Sequence, residues 1–418
     1  MSPALILSCV IAYSALLFYV VWKSSRNADN ESYFIGNKSS KWYLVAYGMI
    51  GASLSGVTFM SVPGLVGTTS FSYMVLVFGY FFGYAIIALV LLPLYYKMNL
   101  TSIYTYLERR FGFWSYKTGA FFFIVSRTIG AAFRLYIVVN VLQLFIFDAW
   151  GVPFWVTVLA FILLILLYTY EGGVKTIVLT DTLQTTFMLL AIVISVFYIS
   201  NELDMGIFDL FSAIHAKGYD KMFNMDWHSK SYFLKQFFGG MFIAVAMTGL
   251  DQEMMQKNIS VRTLGDSQKN IFSFSFVLVF INLLFLCLGA LLFLYSTAKG
   301  IPLPEKSDDL FPIIALNHLG GLVGIVFIIG LISAAYPSAD GALTALTSSF
   351  CIDFLNFKKS AWTEEHKKKI RYIVHFSFAA LLLLVIIIFR AINDDAVISK
   401  LFTVASYTYG PLLGLFAY

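Results

Sequence analysis

Charge is scarce in this chain. Only 12% of its 418 residues are Asp, Glu, Lys or Arg, about half the share that soluble domains carry. With 59% hydrophobic residues and a mean hydropathy of +0.81, an ordinary water-soluble globule is excluded. Cysteine is scarce as well. Cys9, Cys287 and Cys351 lie far apart in apolar runs, which excludes a disulfide framework and a thiolate metal cluster. The five histidines have no nucleophile or metal spacing around them, and there is no P-loop. No catalytic set is present, so the chain is read as not an enzyme, and any uphill transport draws on an ion gradient. The net charge of +5 does not call for nucleic acid, because the basic residues cluster in short loops between apolar runs.

What is abundant is long apolar sequence. A stretch of about 20 apolar residues spans a bilayer, and eleven such segments lie near 3–22, 42–66, 72–96, 117–147, 152–170, 175–200, 233–256, 270–297, 311–354, 371–392 and 398–418. They are continuous rather than alternating, so helices are expected and a barrel is not. The fold class is therefore an all-α polytopic membrane protein. The first segment lacks a basic n-region and is long enough to span, so it reads as a retained helix rather than a signal peptide.

Basic residues mark one set of loops. The loop after the first helix holds Lys23, Arg26, Lys38 and Lys41, and alternate loops end with the run from Lys358 to Arg371. By the positive-inside rule this set is cytoplasmic and the N-terminus is outside, in an inner or plasma membrane. The chain stops at "YGPLLGLFAY" within an apolar run, so further C-terminal helices are expected.

After the first helix (1–40 with its loop), ten segments remain. They divide into 41–200, a polar stretch 201–232, and 233–418. Five helices per half make the halves inverted relative to each other. Each half opens with an interrupted helix, "MIGASLSGVTFMSVPG" and "FFGGMFIAVAMTGLDQ". Paired interrupted helices point to a transport site at the bilayer midplane. The competing explanation is that small residues simply aid helix packing.

Several polar residues inside the apolar runs need a reason. In "SAAYPSADGALTALTSSFCIDF", helical spacing puts Ser333, Pro337, Asp340, Thr344 and Thr347 on one face. Such a stripe faces a cavity or another helix, not lipid, and an intramembrane carboxylate such as Asp340 marks an ion path more often than a bond between helices. Pro337 has no N–H, which leaves the Ser333 carbonyl without its helical partner, and either available to a cation or capped at a kink by a neighbouring hydroxyl. In "GGVKTIVLTDTLQT", Asp181 lies roughly 13 Å along a helix from the glycine turn, farther than a helix-dipole effect reaches. Arg127 and Arg134, seven residues apart on one helical face, are expected to serve in structural ion pairing rather than on the solute. Asp251, Gln252 and Glu253 stand at the break of the second interrupted helix. Any of them is placed to meet a solute, and Glu253 fits a solvated helix end equally well.

"GGVKTIVLTDTLQT", "TGLDQEMMQKNIS", "LTSIYTYLERRFG" and "SADGALTALTSSFCIDF" together resemble the sodium:solute symporter family in its bacterial type, over nearly the whole chain. The resemblance implies a LeuT-type five-plus-five inverted repeat preceded by one extra helix. It implies alternating-access symport of a small organic solute (a sugar, sialic acid, a carboxylate or similar) with Na⁺, and no organic cofactor. It places a sodium site on the carbonyls of Gly51, Leu54 and Ala334 and on hydroxyls at 337 and 338. Here Pro337 replaces one of those hydroxyls and Ser338 remains; the Ser333 carbonyl, a water or Asp181 are the possible substitutes. It places Asp181 on the sodium exit path, makes Asp181, Pro337, Asp340 and Thr344 candidates for ion coupling, and lines the solute site with Ser53, Thr58, Asp251 and Gln252. A transporter-like solute sensor and a Na⁺-independent or proton-coupled carrier are the alternatives. The partners expected are the solute and the lipid bilayer; oligomeric state is not read from the sequence.

Overall fold

The computed structural model describes residues 2–24, 40–169, 174–229, 231–357, 360–392 and 397–418. The glycine turn expected at Gly172 and most of the first basic loop lie outside them. Helices account for nearly all of the described chain: α1 (Pro3–Ser24), α2 (Trp42–Ser53), α3 (Gly56–Thr69), α4 (Tyr73–Ile86), α5 (Thr105–Phe111), α6 (Phe113–Leu142), α7 (Phe154–Thr169), α8 (Val174–Glu202), α9 (Ile207–Ala216), α10 (Phe233–Ala244), α11 (Gln252–Ile259), α12 (Leu264–Lys299), α13 (Gly320–Ser349), α14 (Glu364–Ile392) and α15 (Val397–Ala417). Each apolar segment expected from the sequence coincides with helix. The segment 311–354 is divided, however. A short helical stretch ends at His318 and Gly320, at φ +82°, turns the chain into α13. Only glycine adopts that backbone angle without strain.

Both interrupted helices are broken. The first breaks between α2 and α3, where Leu54 leaves helical geometry at φ −87°, ψ 81°. The second bends by 66° between the run Phe233–Gly249 and α11. Asp251 makes that second start possible. It sits in extended backbone, and its carboxylate accepts from the N–H groups of Glu253 and Met254. Those are two of the orphan donors that every helix N-terminus presents.

The broken helices sit inside the bundle. The α2 helix packs on α8 and α12, α10 packs on α4, and α13 runs through the centre against α6, α8 and α14. Every residue of α13 from Gly330 to Ser349 is buried. The α4–α10 crossing depends on missing side chains. A Cβ at Gly79 or Gly240 would run into the carbonyl of Phe237 or Leu76, so small residues here do serve close packing. The N-terminal helix docks on α13 through Tyr13, whose hydroxyl accepts from Ser333 at 2.7 Å, and through a Ser14–Tyr336 hydroxyl pair at 2.8 Å.

Beyond the long apolar spans, Asp308 ties the 307–309 turn to α15 by accepting the Val397 N–H at 3.1 Å. Burial holds its carboxyl above the usual carboxylate range, against the opposing pull of that N–H and of Lys306. A group whose folded pKa is raised binds its proton more readily when folded, so its contribution to stability is lost as pH rises through that value. Asp308→Asn keeps an acceptor for Val397 and removes the loss. The variant is expected to melt no lower than wild type at pH 7.5, with the difference shrinking toward pH 4. A variant that melts well below wild type at pH 7.5 would contradict this.

Candidate functional site

The break between α2 and α3 opens onto a polar cavity of about 80 Å³. Its walls include Ser53 and Thr58 at the break, Arg127 and Arg134 of α6, and the tyrosines of α4. Ser53 and Thr58, which the resemblance assigns to the solute site, thus stand in the cavity wall. The α6 backbone at Arg134 lies directly against the start of α3, within ordinary contact of a Cβ built on Gly56. Tyr73, Tyr80 and Tyr84 all line the cavity, at spacings of seven and four that put them on one face of α4. The Tyr84 hydroxyl lies against Ser53 and Thr248, one from each broken helix. These tyrosines, with Thr248 and Asn282, were not singled out in the sequence, although their helical spacing was there to be read.

The two arginines have different roles. Arg127 is 3% exposed; its guanidinium pairs with Glu253 and stands 3.8 Å from Asp251, while its Nε, like that of Arg134, has no hydrogen-bond partner. Arg134 is partly accessible, and its Nε has no hydrogen-bond partner. No ion pair to Arg134 occurs among the described residues. Arg127 is thus ion-paired and Arg134, among the described residues, is not, although both line the cavity.

Around the second break lies a buried charge network. Asp251 accepts from Tyr409 of α15 at 2.7 Å as well as capping α11. Glu253 joins Arg127 to Lys257, whose ammonium lies 3.3 Å from Glu253 and 2.7 Å from Asp181. Glu253 is 2% exposed, so the solvated helix end is excluded. Two residues expected to meet the solute, Asp251 and Gln252, stand outside the cavity lining. Asp251 is committed to its cap and to Tyr409. Gln252 points away from the cavity, accepting from the Ile103 N–H at 3.0 Å and donating to the Thr101 carbonyl at 2.8 Å. Neither lines the cavity, because the 66° bend carries both side chains past its wall.

The polar face of α13 is mostly used between helices. Ser333 binds Tyr13, Thr347 binds His375 at 3.1 Å, and Ser348 accepts from Gln256 at 3.2 Å. The Ser333 hydroxyl is thus turned to α1. The Asp340 carboxylate accepts the N–H of its neighbour Gly341. Two hydroxyls of the stretch, Ser338 and Thr344, remain buried without a hydrogen-bond partner. Among the described residues no group of three or more His, Cys, Asp and Glu is arranged to hold a metal ion.

With this geometry in place, likeness to known proteins is informative. The profile of the sodium:solute symporter family matches residues 33–416. A sodium/sialic acid symporter from Proteus mirabilis is 24% identical over 96% of this chain and 82% of its own length. The human sodium-coupled monocarboxylate transporter 1 is 24% identical over 98% of this chain and 67% of its own. Among solved structures, the substrate-bound outward-open state of a Na⁺-coupled sialic acid symporter superposes with a TM-score of 0.86. It is 22% identical and covers 98% of this chain and 85% of that one. The broken helix pair, the polar cavity at the break and the superposition describe a LeuT-type multi-pass membrane transporter, and the chain belongs to the sodium:solute symporter family.

Proposed function

We propose that this sodium-coupled symporter carries a small solute bearing a carboxylate, bound by Arg134 in the cavity at the first helix break. The observation that carries the reading is Arg134 itself, a guanidinium deep in the bundle, accessible from the cavity and without an ion pair among the described residues. Removing a cation from water without a partner is costly, and a planar carboxylate is the bidentate partner that guanidinium suits best. The relatives named above carry sialic acid or a monocarboxylate by name, in agreement with this. Ser53, Thr58 and the α4 tyrosines supply hydroxyls for the rest of the solute.

Sodium binds on the other side of the same break in this reading. Its ligands are the carbonyls of Gly51, Leu54 and Ala334 and the Ser338 hydroxyl. The last turn of a helix leaves its carbonyls without partners, and hard cations take oxygen ligands. The Ser338 hydroxyl is buried and unpartnered on a helix that packs against α2 and α3. Pro337 leaves one hydroxyl fewer. Sodium and carboxylate enter as a neutral pair beside one break, so each lowers the cost of burying the other. Such coupling requires that both bind one state of the α2–α13 contact better than the other. The N-terminus lies outside in this reading, with the basic loops cytoplasmic.

Uptake into proteoliposomes under a sodium gradient tests the solute class. Sialic acid and short hydroxymonocarboxylates are offered beside their amides. Sodium-driven uptake of an acid and not of its amide is expected; equal uptake of both removes Arg134 from the reading. Sodium-dependent thermal stabilisation, measured against K⁺ and choline, tests the ligands. Ser338→Ala is expected to raise the half-maximal Na⁺ concentration about tenfold, equivalent to ~1.4 kcal/mol, and Pro337→Ser to lower it. An unchanged value in Ser338→Ala rejects that ligand.

A further inference from the structure

Asp181 was expected on the sodium path, yet its carboxylate already holds a cation. Lys257 Nζ lies 2.7 Å from Asp181 Oδ2 and 3.3 Å from Glu253 Oε1. The three side chains are 1–3% exposed. The second oxygen, Asp181 Oδ1, is buried without a hydrogen-bond partner.

The location sets this cluster beside the sodium ligands. Asp181 packs on α2 at Gly48, where a built Cβ would stand 3.0 Å from the Asp181 Cβ. Gly48 precedes Gly51 by about one helical turn, or roughly 5 Å. The two levels are linked through Thr185, which donates to the Asp181 carbonyl at 2.7 Å and accepts the Gly51 N–H at 3.1 Å. Gly341 completes the cluster from α13. A Cβ there would collide with Glu253 Oε1, so the missing side chain is what lets Glu253 reach across and hold the ammonium.

We propose that Lys257 is a resident cation: its ammonium fills a carboxylate-lined cation site about one helical turn from Gly51, and one mobile Na⁺ rather than two accompanies each solute. Two carboxylates facing one buried ammonium provide the negative charge and the oxygens that a monovalent metal ion would require. While the ammonium is there, a second positive ion is repelled at short range in a dry environment. The unpartnered Asp181 Oδ1 gives a metal ion a ready ligand once the ammonium is gone. Lys257 also latches α11 to α8, so that separation of these helices must break the 2.7 Å pair.

The inference rests on the sodium reading above only for where the one mobile ion sits; the count of ions is independent of it. Equilibrium binding of radioactive ²²Na⁺ to purified protein, with the number of ions per chain determined from saturation, provides the test. Wild type is expected to bind one Na⁺ and Lys257→Gln two. Lys257→Arg, which keeps a cation in place, is expected to bind one. Lys257→Gln combined with Asp181→Asn returns the count to one. A wild-type or Lys257→Arg count of two overturns the proposal even if Lys257→Gln fails to fold, and so does a folded Lys257→Gln that still binds one. A weakened single site in Ser338→Ala bears on the ligand reading alone.

Discussion

Replacing Arg134 by glutamine is expected to lower the sodium-driven uptake efficiency for a carboxylate solute by about 100-fold or more, while leaving the protein folded. The magnitude follows from two lost charge-assisted hydrogen bonds at about 1.5–3 kcal/mol each. The sparing of stability follows from the site. Arg134 has no ion pair among the described residues to break, and its Nε bonds nothing. Removing a cation that has no ion pair among the described residues should leave the melting temperature unchanged or raise it slightly. Arg134→Lys keeps the charge but not the planar fork, and intermediate uptake is expected from it. Uptake and melting curves on the same preparations decide the matter. Near-normal uptake by Arg134→Gln would end its assignment to the solute.

Arg127→Met is expected to do the opposite, harming stability first. Arg127 is the cation between Glu253 and Asp251, all buried. Deleting one member of a buried ion pair leaves the other charge uncompensated, at a cost of about 3–5 kcal/mol. For a chain of this size that corresponds to a fall in melting temperature of about 3–6 °C. Adding Glu253→Gln removes the stranded charge and should restore part of the loss, a non-additivity expected of contacting residues. Additive losses in the double variant would mean that the pair does not hold α6 to α11. Two arginines one heptad apart on one helix thus separate into a solute contact and a structural tie.

Much of the architecture was legible because the bilayer constrains sequence so strongly. Backbone polar groups must be satisfied within each span, so every span appears as a long apolar helix. The interruptions at Leu54 and Asp251 appear as Gly, Ser, Thr and Asp within such runs. Burial of polar groups was legible for the same reason: Asp181, Arg127, Arg134, Ser338 and Asp340 stand out where charge and hydroxyls are costly. Membership of the family followed from motifs spread along the chain.

From the residues alone one could read that Asp181, Asp340 and Arg127 are polar groups within apolar runs, and that the two Gly-, Ser- and Thr-bearing helices break. The sequence did not determine what each polar group meets. Ser333 and Ser338 are five residues apart on one helix, yet one hydroxyl binds Tyr13, some 320 positions away, and the other has no partner. Gln252 and Glu253 are adjacent, yet one holds the 101–103 loop and the other bridges Arg127 and Lys257. Helical periodicity assigns a side chain to a face of its own helix. The neighbour on that face is set by helix crossings, and those depend on contacts such as Gly79 with Phe237 and Gly341 with Glu253. Lys257 shows this most clearly. As sequence it is one basic residue in a row of basic loops, and only the 66° bend that buries α11 turns its ammonium onto Asp181.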